Sequence, residues 1–146
     1  MAAFEAPNLC NPQPGWYAAG QPDARQLRAA GDGGVRRVIN LRPPSEDAGY
    51  DEAALADELG IDYQVLPIAG TADLTQENVG RFDVLMTRTP SLPTLVHCAS
   101  GNRVGALVAL RRAWLKGDNS EQALAEGRAW GLTKLEAAVR ALLGGG

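Results

Sequence analysis

The sequence contains very few side chains that bind metals. It has one histidine, His97, and two cysteines, Cys10 and Cys98, that lie far apart in the chain. These three residues cannot supply the four ligands of a typical zinc site, so we expect no metal, and no other cofactor is indicated. Two cysteines allow one disulfide at most, and a chain of 146 residues does not need one to fold. We therefore expect a reducing, cytoplasmic setting, although a signal removed before residue 1 would leave no trace.

Long apolar runs and an excess of basic charge are also missing. No apolar run approaches the ~18–20 residues that span a bilayer, and the N-terminus lacks the basic and apolar regions of a secretory signal. The net charge is −3, and the three tryptophans are not interleaved with basic clusters. These absences predict no membrane partner and no nucleic-acid partner. They give no indication of the oligomeric state.

From Trp16 onward, short strand patterns alternate with helical patterns. The strand candidates are residues 16–20, 35–41, 61–68 and 93–98. Strands separated by helices of this length predict an α/β fold with a central, mainly parallel sheet flanked by helices. Residues 1–15 are rich in proline and asparagine and are expected to form an extended arm without regular structure. The expected organisation is this arm, one domain over residues 16–143, and a disordered glycine tail over residues 144–146.

Two helical segments carry specific expectations. Residues 104–117 are apolar nearly all round for two turns, which predicts a helix buried on several sides. Residues 133–143 begin with Thr133 and Glu136 at the spacing of a capping box, which predicts a helix that starts at Thr133.

The segment HCASGNR, residues 97–103, joins the last strand candidate to the buried helix. Its small residues allow the backbone N–H groups to converge on a point above Cys98, and Gly101 can adopt a positive φ. The N-terminus of the following helix adds a field that favours an anion and the thiolate form of Cys98. Cys98 is therefore the candidate nucleophile, and the candidate phosphate-binding residues are Ala99, Ser100, Gly101, Asn102 and Arg103, whose planar fork can bind two oxygens. We expect His97 to support the loop by hydrogen bonding to the backbone.

HCASGNR resembles the signature of the cysteine-dependent phosphatases of the protein-tyrosine and dual-specificity class. Four residues separate Cys98 from Arg103 where five are usual, and this spacing is similar to a bacterial subgroup described as hydrolase-like or as a domain of unknown function. The run Asn40-Leu41-Arg42-Pro43, followed by Glu46, and the run Leu66-Pro67-Ile68 extend the similarity over residues 18–114. The resemblance implies a dual-specificity-phosphatase-like fold. It also implies hydrolysis of phosphomonoesters, in a small molecule or a phosphoprotein, through a cysteinyl-phosphate intermediate.

In the families it resembles, an aspartate on a neighbouring loop protonates the leaving group. Asp73 is the acidic residue of the loop after strand 61–68 and is our candidate, although it could instead help to cap the next helix. Glu46 and Asp47 are competing acids. Arg42 could pair with Glu46 in support of the site, assist substrate binding, or form an ordinary exposed ion pair.

One departure from the family pattern bears on turnover. Val104 occupies the position where these phosphatases commonly have a serine or threonine that helps to expel the cysteine from the intermediate, so slow turnover is expected. Two alternatives stay open. Rhodanese sulfurtransferases share the short loop and would use a Cys98 persulfide, although their other motifs are missing here. A non-catalytic phosphate-binding module would keep the loop without efficient hydrolysis.

Overall fold

The computed structural model describes residues 4–144, which form five strands and six helices. The strands are β1 (Cys10–Gln13), β2 (Trp16–Ala19), β3 (Arg37–Asn40), β4 (Asp62–Val65) and β5 (Thr94–His97). The helices are α1 (Ala24–Asp32), α2 (Glu52–Glu58), α3 (Gln76–Met86), α4 (Asn102–Lys116), α5 (Ser120–Ala129) and α6 (Glu136–Leu142). Within these residues, no helix has both the length and the hydropathy that crossing a bilayer requires.

The strands form one sheet in the order β1-β2-β5-β3-β4. β2, β5, β3 and β4 are parallel to one another, and only β1 is antiparallel to its neighbour. The predicted α/β fold with a mainly parallel sheet is therefore confirmed. The parallel strands all end at the same edge of the sheet, where ligands bind in folds of this kind.

Successive side chains of each strand pack on opposite faces of the sheet, as the twofold period of a strand requires. Ala19, Val38 and Leu95 face one apolar cluster, which α1 and α2 cover. The neighbouring residues of the same strands face a second cluster, which α3, α4, α5 and α6 cover. The sheet is thus buried on both sides, which explains why its strands are apolar with little alternation.

Helix α4 is the central helix of the larger layer. Its residues from Val104 to Leu110 are all buried, so the predicted burial on several sides is confirmed. A Cβ on Gly105 would lie 2.2 Å from the backbone nitrogen of Leu132 and 2.5 Å from the carbonyl oxygen of Gly127. The absence of a side chain at Gly105 thus lets α5 and the turn after it contact the backbone of α4 directly.

The expectation of an arm without regular structure over residues 1–15 is wrong for β1. This strand pairs with β2 through a hairpin, in which Gly15 has a φ of 82°. An edge strand needs only part of its N–H groups for pairing, so it tolerates Pro12. Composition alone therefore underestimated the order of this segment.

The predicted start of the last helix at Thr133 is also wrong. α6 begins at Glu136 and has no side-chain cap. The Oδ1 atom of Asn102 instead accepts hydrogen bonds from the backbone N–H groups of Thr133, at 2.9 Å, and Leu135, at 3.2 Å. Because a distant side chain binds these N–H groups, the local capping box does not form. Of the glycine tail expected to be disordered, residues 145–146 lie outside the described residues.

Candidate active site

The loop after β5 lies between the ends of β2 and β3. Cys98 follows β5 directly, and its N–H donates to the carbonyl of Ala19 at the end of β2. Gly101 precedes α4 with a φ of 94°, a backbone conformation that residues with a side chain rarely adopt. The N–H of Gly101 points back into the loop and donates to the Sγ atom of Cys98 at 3.0 Å. The sulfur therefore lies at the floor of the loop, in hydrogen-bond contact with a backbone amide.

Helix α4 adds to the positive potential at this sulfur. The helix runs for 15 residues, and its first turn contains no acidic side chain. The unpaired N–H groups and the dipole of a helix N-terminus favour negative charge nearby. Cys98 has no exposed surface. A thiolate here would be stabilised by the helix and the loop rather than by solvent.

Arg103 lies in the first turn of α4 and is held firmly. Its Nη1 and Nη2 atoms donate to the two carboxylate oxygens of Glu46 at 2.9 Å and 3.0 Å, and Nη1 also donates to the carbonyl of Ile68 at 2.7 Å. The fixed fork of a guanidinium has five N–H donors. Three of the five have these oxygen partners; among residues 4–144 the Nε–H and one Nη2–H have no oxygen partner, and the Cys98 sulfur lies close to the same guanidinium. These two donors lie on one edge of the guanidinium, which leaves that edge for a second anion.

The Arg103–Glu46 pair shifts the pKa of both groups. The hydrogen bond from Arg103, followed by that from Arg42, lowers the pKa of Glu46. Burial alone would lower the pKa of Arg103, but Glu46 and the nearby Cys98 sulfur outweigh it and raise this pKa. Glu46 is therefore a carboxylate rather than a proton donor under ordinary conditions.

Arg42 supports Glu46 from the other side. Its Nε atom donates to Glu46 at 3.1 Å, and its Nη atoms donate to the side chain of Gln21 and to the carbonyl of Asp47. The Arg42 side chain is only 11% exposed. Of the three roles left open by the sequence, the ion pair with Glu46 is the one that the structure contains.

His97 is fully buried beside a residue that the sequence did not single out. Its Nε2 atom contacts the carboxylate of Glu52, and its Nδ1 atom lies 3.3 Å from the carbonyl of Cys98. Glu52 is also buried and accepts a hydrogen bond from Gln21. The contact to the Cys98 carbonyl is of the kind expected for His97, and the carboxylate fixes the ring on its other side.

Two distant segments hold the outer side of the loop. The N–H of Gln21 donates to the carbonyl of Ala99 at 3.0 Å, and the Nδ2 atom of Asn8 donates to the carbonyl of Ser100 at 2.9 Å. A Cβ on Gly20 would lie only 2.5 Å from the Ala99 oxygen, so the strand end contacts the loop backbone directly.

The turn between α5 and α6 holds the opposite end of the loop. A Cβ on Gly131 would lie 2.8 Å from the carbonyl oxygen of Gly101. Asn102 contacts the same turn through its carboxamide. Its side chain therefore points away from Cys98. If Asn102 contributes to anion binding, it does so through its backbone N–H group.

Asp73 is not joined to the loop by a hydrogen bond. Its Oδ2 atom accepts from the N–H of Ala69 at 2.8 Å, and its carbonyl accepts from the side chain of Asn78. Thr75, rather than Asp73, caps α3. The loop that carries Asp73 begins after Ile68, and the Ile68 carbonyl contacts Arg103. The start of this loop therefore lies next to the site.

Val104 is fully buried in the core cluster and places no hydroxyl group at the loop. Ser100 is exposed, and its carbonyl rather than its side chain is hydrogen bonded. The second cysteine, Cys10, is a free thiol whose Sγ atom contacts the Ala18 carbonyl at 3.6 Å, and burial raises its pKa. Among residues 4–144, no group of three or more His, Cys, Asp and Glu side chains has the arrangement of a metal site.

Sequence reasoning missed three supporting residues: Glu52, Gln21 and Asn8. Glu52 lies in the first turn of α2, where an acidic residue is ordinary. The signal that could have found it is the lone histidine at the end of an apolar strand, because a buried imidazole needs a partner. Gln21 and Asn8 lie outside any periodic pattern, and no sequence signal identifies them.

No family model matches the chain. Among curated proteins, the chain is similar to the "Beta-lactamase hydrolase-like protein" of Xylella fastidiosa, with 35% identity over 96 residues. These residues make up 63% of this chain and 22% of that protein, so the chain spans about a fifth of the length of the curated relatives it matches.

The similarity to solved structures covers nearly the whole chain. A crystal structure named "Putative phosphatase (DUF442)", from Shewanella putrefaciens, matches with a TM-score of 0.73 and 26% identity, over 94% of this chain and 87% of that one. P. aeruginosa TpbA in complex with pTyr matches with a TM-score of 0.66 and 20% identity, over 94% of this chain and 83% of that one. The resemblance indicated by HCASGNR is therefore confirmed, and the fold is that of proteins related to the protein-tyrosine and dual-specificity phosphatases.

Proposed function

We propose that this chain, which has a phosphatase-like fold, is a cysteine-dependent hydrolase of phosphomonoesters. The observation that supports this most strongly is the contact between the Gly101 N–H and the Cys98 sulfur at the N-terminus of α4. Backbone donors that point at a sulfur are suited to stabilise a thiolate and then the oxygens of a bound phosphate. Arg103 lies beside this point, with one edge of its guanidinium left for an anion.

In the first step, the Cys98 thiolate attacks phosphorus. A sulfur–phosphorus bond forms, and the bond from phosphorus to the alcohol or phenol oxygen breaks. The backbone N–H groups of residues 99–103 and the free edge of Arg103 bind the remaining phosphate oxygens. Because Glu46 fixes the other edge of Arg103, the donors are in place before the transition state forms.

The leaving oxygen needs a proton, and Asp73 is our candidate donor. Glu46 is unsuitable because its ion pairs with Arg103 and Arg42 keep it deprotonated. In the second step, water attacks the cysteinyl phosphate, and the Asp73 carboxylate accepts the proton of that water. The sulfur–phosphorus bond breaks, inorganic phosphate leaves and the thiolate is regenerated. With Val104 in place of a hydroxyl residue, this second step is expected to be slow.

The proposed substrates are phosphate-containing small molecules or phosphoproteins. Their phosphate must reach a buried sulfur, so the ester has to extend from the surface to the floor of the loop. A reducing compartment such as the cytoplasm suits the mechanism because Cys98 must remain a free thiol.

Hydrolysis of p-nitrophenyl phosphate tests the proposal. The wild-type protein should release nitrophenolate, and Cys98→Ser should not, because an alcohol at this position is a far weaker nucleophile. Cys10→Ser is the matched control and should keep the activity, since the Cys10 thiol contacts the Ala18 carbonyl rather than a residue of the loop. Rapid quenching should trap an intermediate whose mass is increased by one phosphoryl group on Cys98. Activity that survives Cys98→Ser would contradict the proposal.

The same protein samples test the two alternatives. Formation of thiocyanate from thiosulfate and cyanide, dependent on Cys98, would favour a sulfurtransferase. Val104 favours the second alternative, because it leaves the intermediate without the usual hydroxyl group. Binding of phosphate or tungstate without turnover in either assay would show that the loop serves only to bind an anion.

A further inference from the structure

Asn8 is the only residue other than glycine that has a positive φ among residues 4–144, with a value of 54°. Asparagine adopts this left-handed conformation more readily than most residues, but the conformation is uncommon and is usually stabilised by a local interaction. Here the conformation directs the Asn8 side chain at the loop after β5, where Nδ2 donates to the Ser100 carbonyl at 2.9 Å. The two residues are 92 positions apart in the sequence.

The peptide group that Asn8 contacts is the one that contacts the nucleophile. The carbonyl of Ser100 and the N–H of Gly101 belong to a single planar peptide unit, and in a trans peptide they point in opposite directions. The carbonyl accepts from Asn8 on the outer side, and the N–H donates to Cys98 Sγ on the inner side at 3.0 Å. A hydrogen bond at one end of a peptide polarises the group and strengthens the bond at its other end.

The segment that carries Asn8 is itself anchored. The carbonyl of Pro7 accepts from the N–H of Gly20 at 2.7 Å, and Phe4 packs edge-on against Tyr17 with ring centroids 5.3 Å apart. Its position is therefore set by β2 and by the residue that follows this strand. Asn8 thus reaches the loop from a fixed support, even though its side chain is exposed.

We propose that Asn8 is a positioning residue that keeps the Gly101 N–H directed at the Cys98 sulfur by holding the Ser100 carbonyl from outside. This inference rests on the proposed function only in taking Cys98 as the reactive group. It assigns Asn8 no contact with substrate.

Alkylation of Cys98 by iodoacetate, followed as a function of pH, measures how readily the thiolate forms. All proteins carry Cys10→Ser, so that one thiol reacts. Asn8→Gly removes the side chain without adding charge. Asn8→Asp keeps the shape, removes the N–H donor and adds a negative charge, and both residues tolerate the left-handed backbone. The matched control is Asn11→Asp, because the Asn11 amide also donates to backbone carbonyls, those of Gln13 and Trp16, but does not contact the loop.

Both Asn8 variants should shift the midpoint of the alkylation profile upward by about 0.1–0.7 pH unit, which corresponds to about 10–30% of one hydrogen bond to a charged group. Asn11→Asp should leave the midpoint unchanged. The amide proton resonance of Gly101 should move upfield in the Asn8 variants, which a purely structural role for Asn8 would not cause.

An unchanged midpoint in Asn8→Gly, or an unmoved Gly101 resonance, would overturn the inference. An equal shift in Asn11→Asp would also overturn it, because the effect would then belong to the whole N-terminal segment. The measurement uses no substrate, so a protein that hydrolyses no phosphate ester can still confirm the role of Asn8.

Discussion

Replacement of Glu46 by glutamine tests whether the fork of Arg103 is held by charge. The substitution keeps the size of the side chain and one acceptor oxygen, but it removes the negative charge and the second acceptor. In the wild type, two hydrogen bonds of 2.9 Å and 3.0 Å join the two side chains, and Arg103 is 12% exposed while Glu46 is 30% exposed. The pair is therefore neither fully buried nor open to solvent.

The expected cost of Glu46→Gln is about 1–2 kcal/mol in the free energy of unfolding at pH 7. Hydrogen bonds to charged groups contribute about 1.5–3 kcal/mol, and partial exposure of the pair reduces that value toward the ~0–1 kcal/mol of surface ion pairs. Glu58→Gln is the matched control, since Glu58 pairs with Arg28 at the surface with both side chains more than half exposed. We expect its cost to stay below about 0.5 kcal/mol.

The difference between wild type and Glu46→Gln should also depend on pH. The folded state lowers the pKa of Glu46 below the value of about 4.3 that it has in the unfolded chain. The stabilisation is therefore complete above about pH 4.3 and is lost as the pH falls through the folded-state pKa. Because all other carboxyl groups are common to both proteins, the difference between them isolates Glu46.

Urea denaturation of the three proteins at pH 7, 5, 4 and 3, followed by tryptophan fluorescence, measures these differences. The gap between wild type and Glu46→Gln should narrow from pH 5 to pH 3. A gap that stays constant over this range, or one no larger than that of Glu58→Gln at pH 7, would refute the assignment of an ionic hold on Arg103.

Three further predictions use the same denaturation assay. Gly105→Ala should lower the free energy of unfolding by about 3 kcal/mol or more, because its Cβ would lie 2.2 Å from the backbone nitrogen of Leu132. Gly80→Ala, in an uncrowded helical position, should instead raise it by about 0.4–1 kcal/mol. A comparable loss of stability in both variants would contradict the packing argument. Burial raises the pKa of Tyr50, so stability should fall as the pH rises above about 10, and Tyr50→Phe should reduce this fall. Asn102→Ala should cost about 1–2 kcal/mol in the free energy of unfolding, because the hydrogen bonds from the Thr133 and Leu135 N–H groups are lost. Asn102→Asp keeps an acceptor oxygen and should retain stability, but its negative charge should weaken phosphate binding. Equal stability of Asn102→Ala and Asn102→Asp would contradict the role of Asn102 as an acceptor for these N–H groups.

The parts of the fold that were predictable are those with strong local signals. The apolar runs of β3 and β5 and the all-round apolar start of α4 identified the buried layers, since short apolar runs that alternate with helices are typical of a parallel sheet buried on both faces. The position of Gly101 was also predictable, because a strand-to-helix turn of small residues needs one residue that accepts a positive φ.

The remaining features depend on contacts between distant parts of the chain. In the sequence, Glu52 is an ordinary acidic residue at a helix start, and only the fold shows that it contacts His97. The capping box at Thr133 looked correct locally, but Asn102, 31 positions earlier, binds that N–H group instead. β1 was missed because proline and asparagine lower strand propensity, whereas pairing with β2 stabilises the strand at a sheet edge. In each case a tertiary partner outweighed the local preference.

The roles of Cys98, Arg103 and Asp73 in a reaction stay predictions. The amide contact to the Cys98 sulfur and the fixed guanidinium of Arg103 are the kind of geometry that these roles require. Asp73 lies in the expected loop, but its carboxylate binds the Ala69 N–H, so proton donation would require it to leave this partner.

The supports of the loop come from segments that are far apart in the sequence. Asn8 precedes the sheet, and the turn that carries Thr133 and Leu135 comes after five of the six helices. A growing chain therefore cannot complete the surroundings of Cys98 until Leu135 has left the ribosome. Reactivity at this sulfur would arise only after that turn has been synthesised, so a fragment cut short before residue 133 would lack a finished centre even though it contains all of HCASGNR.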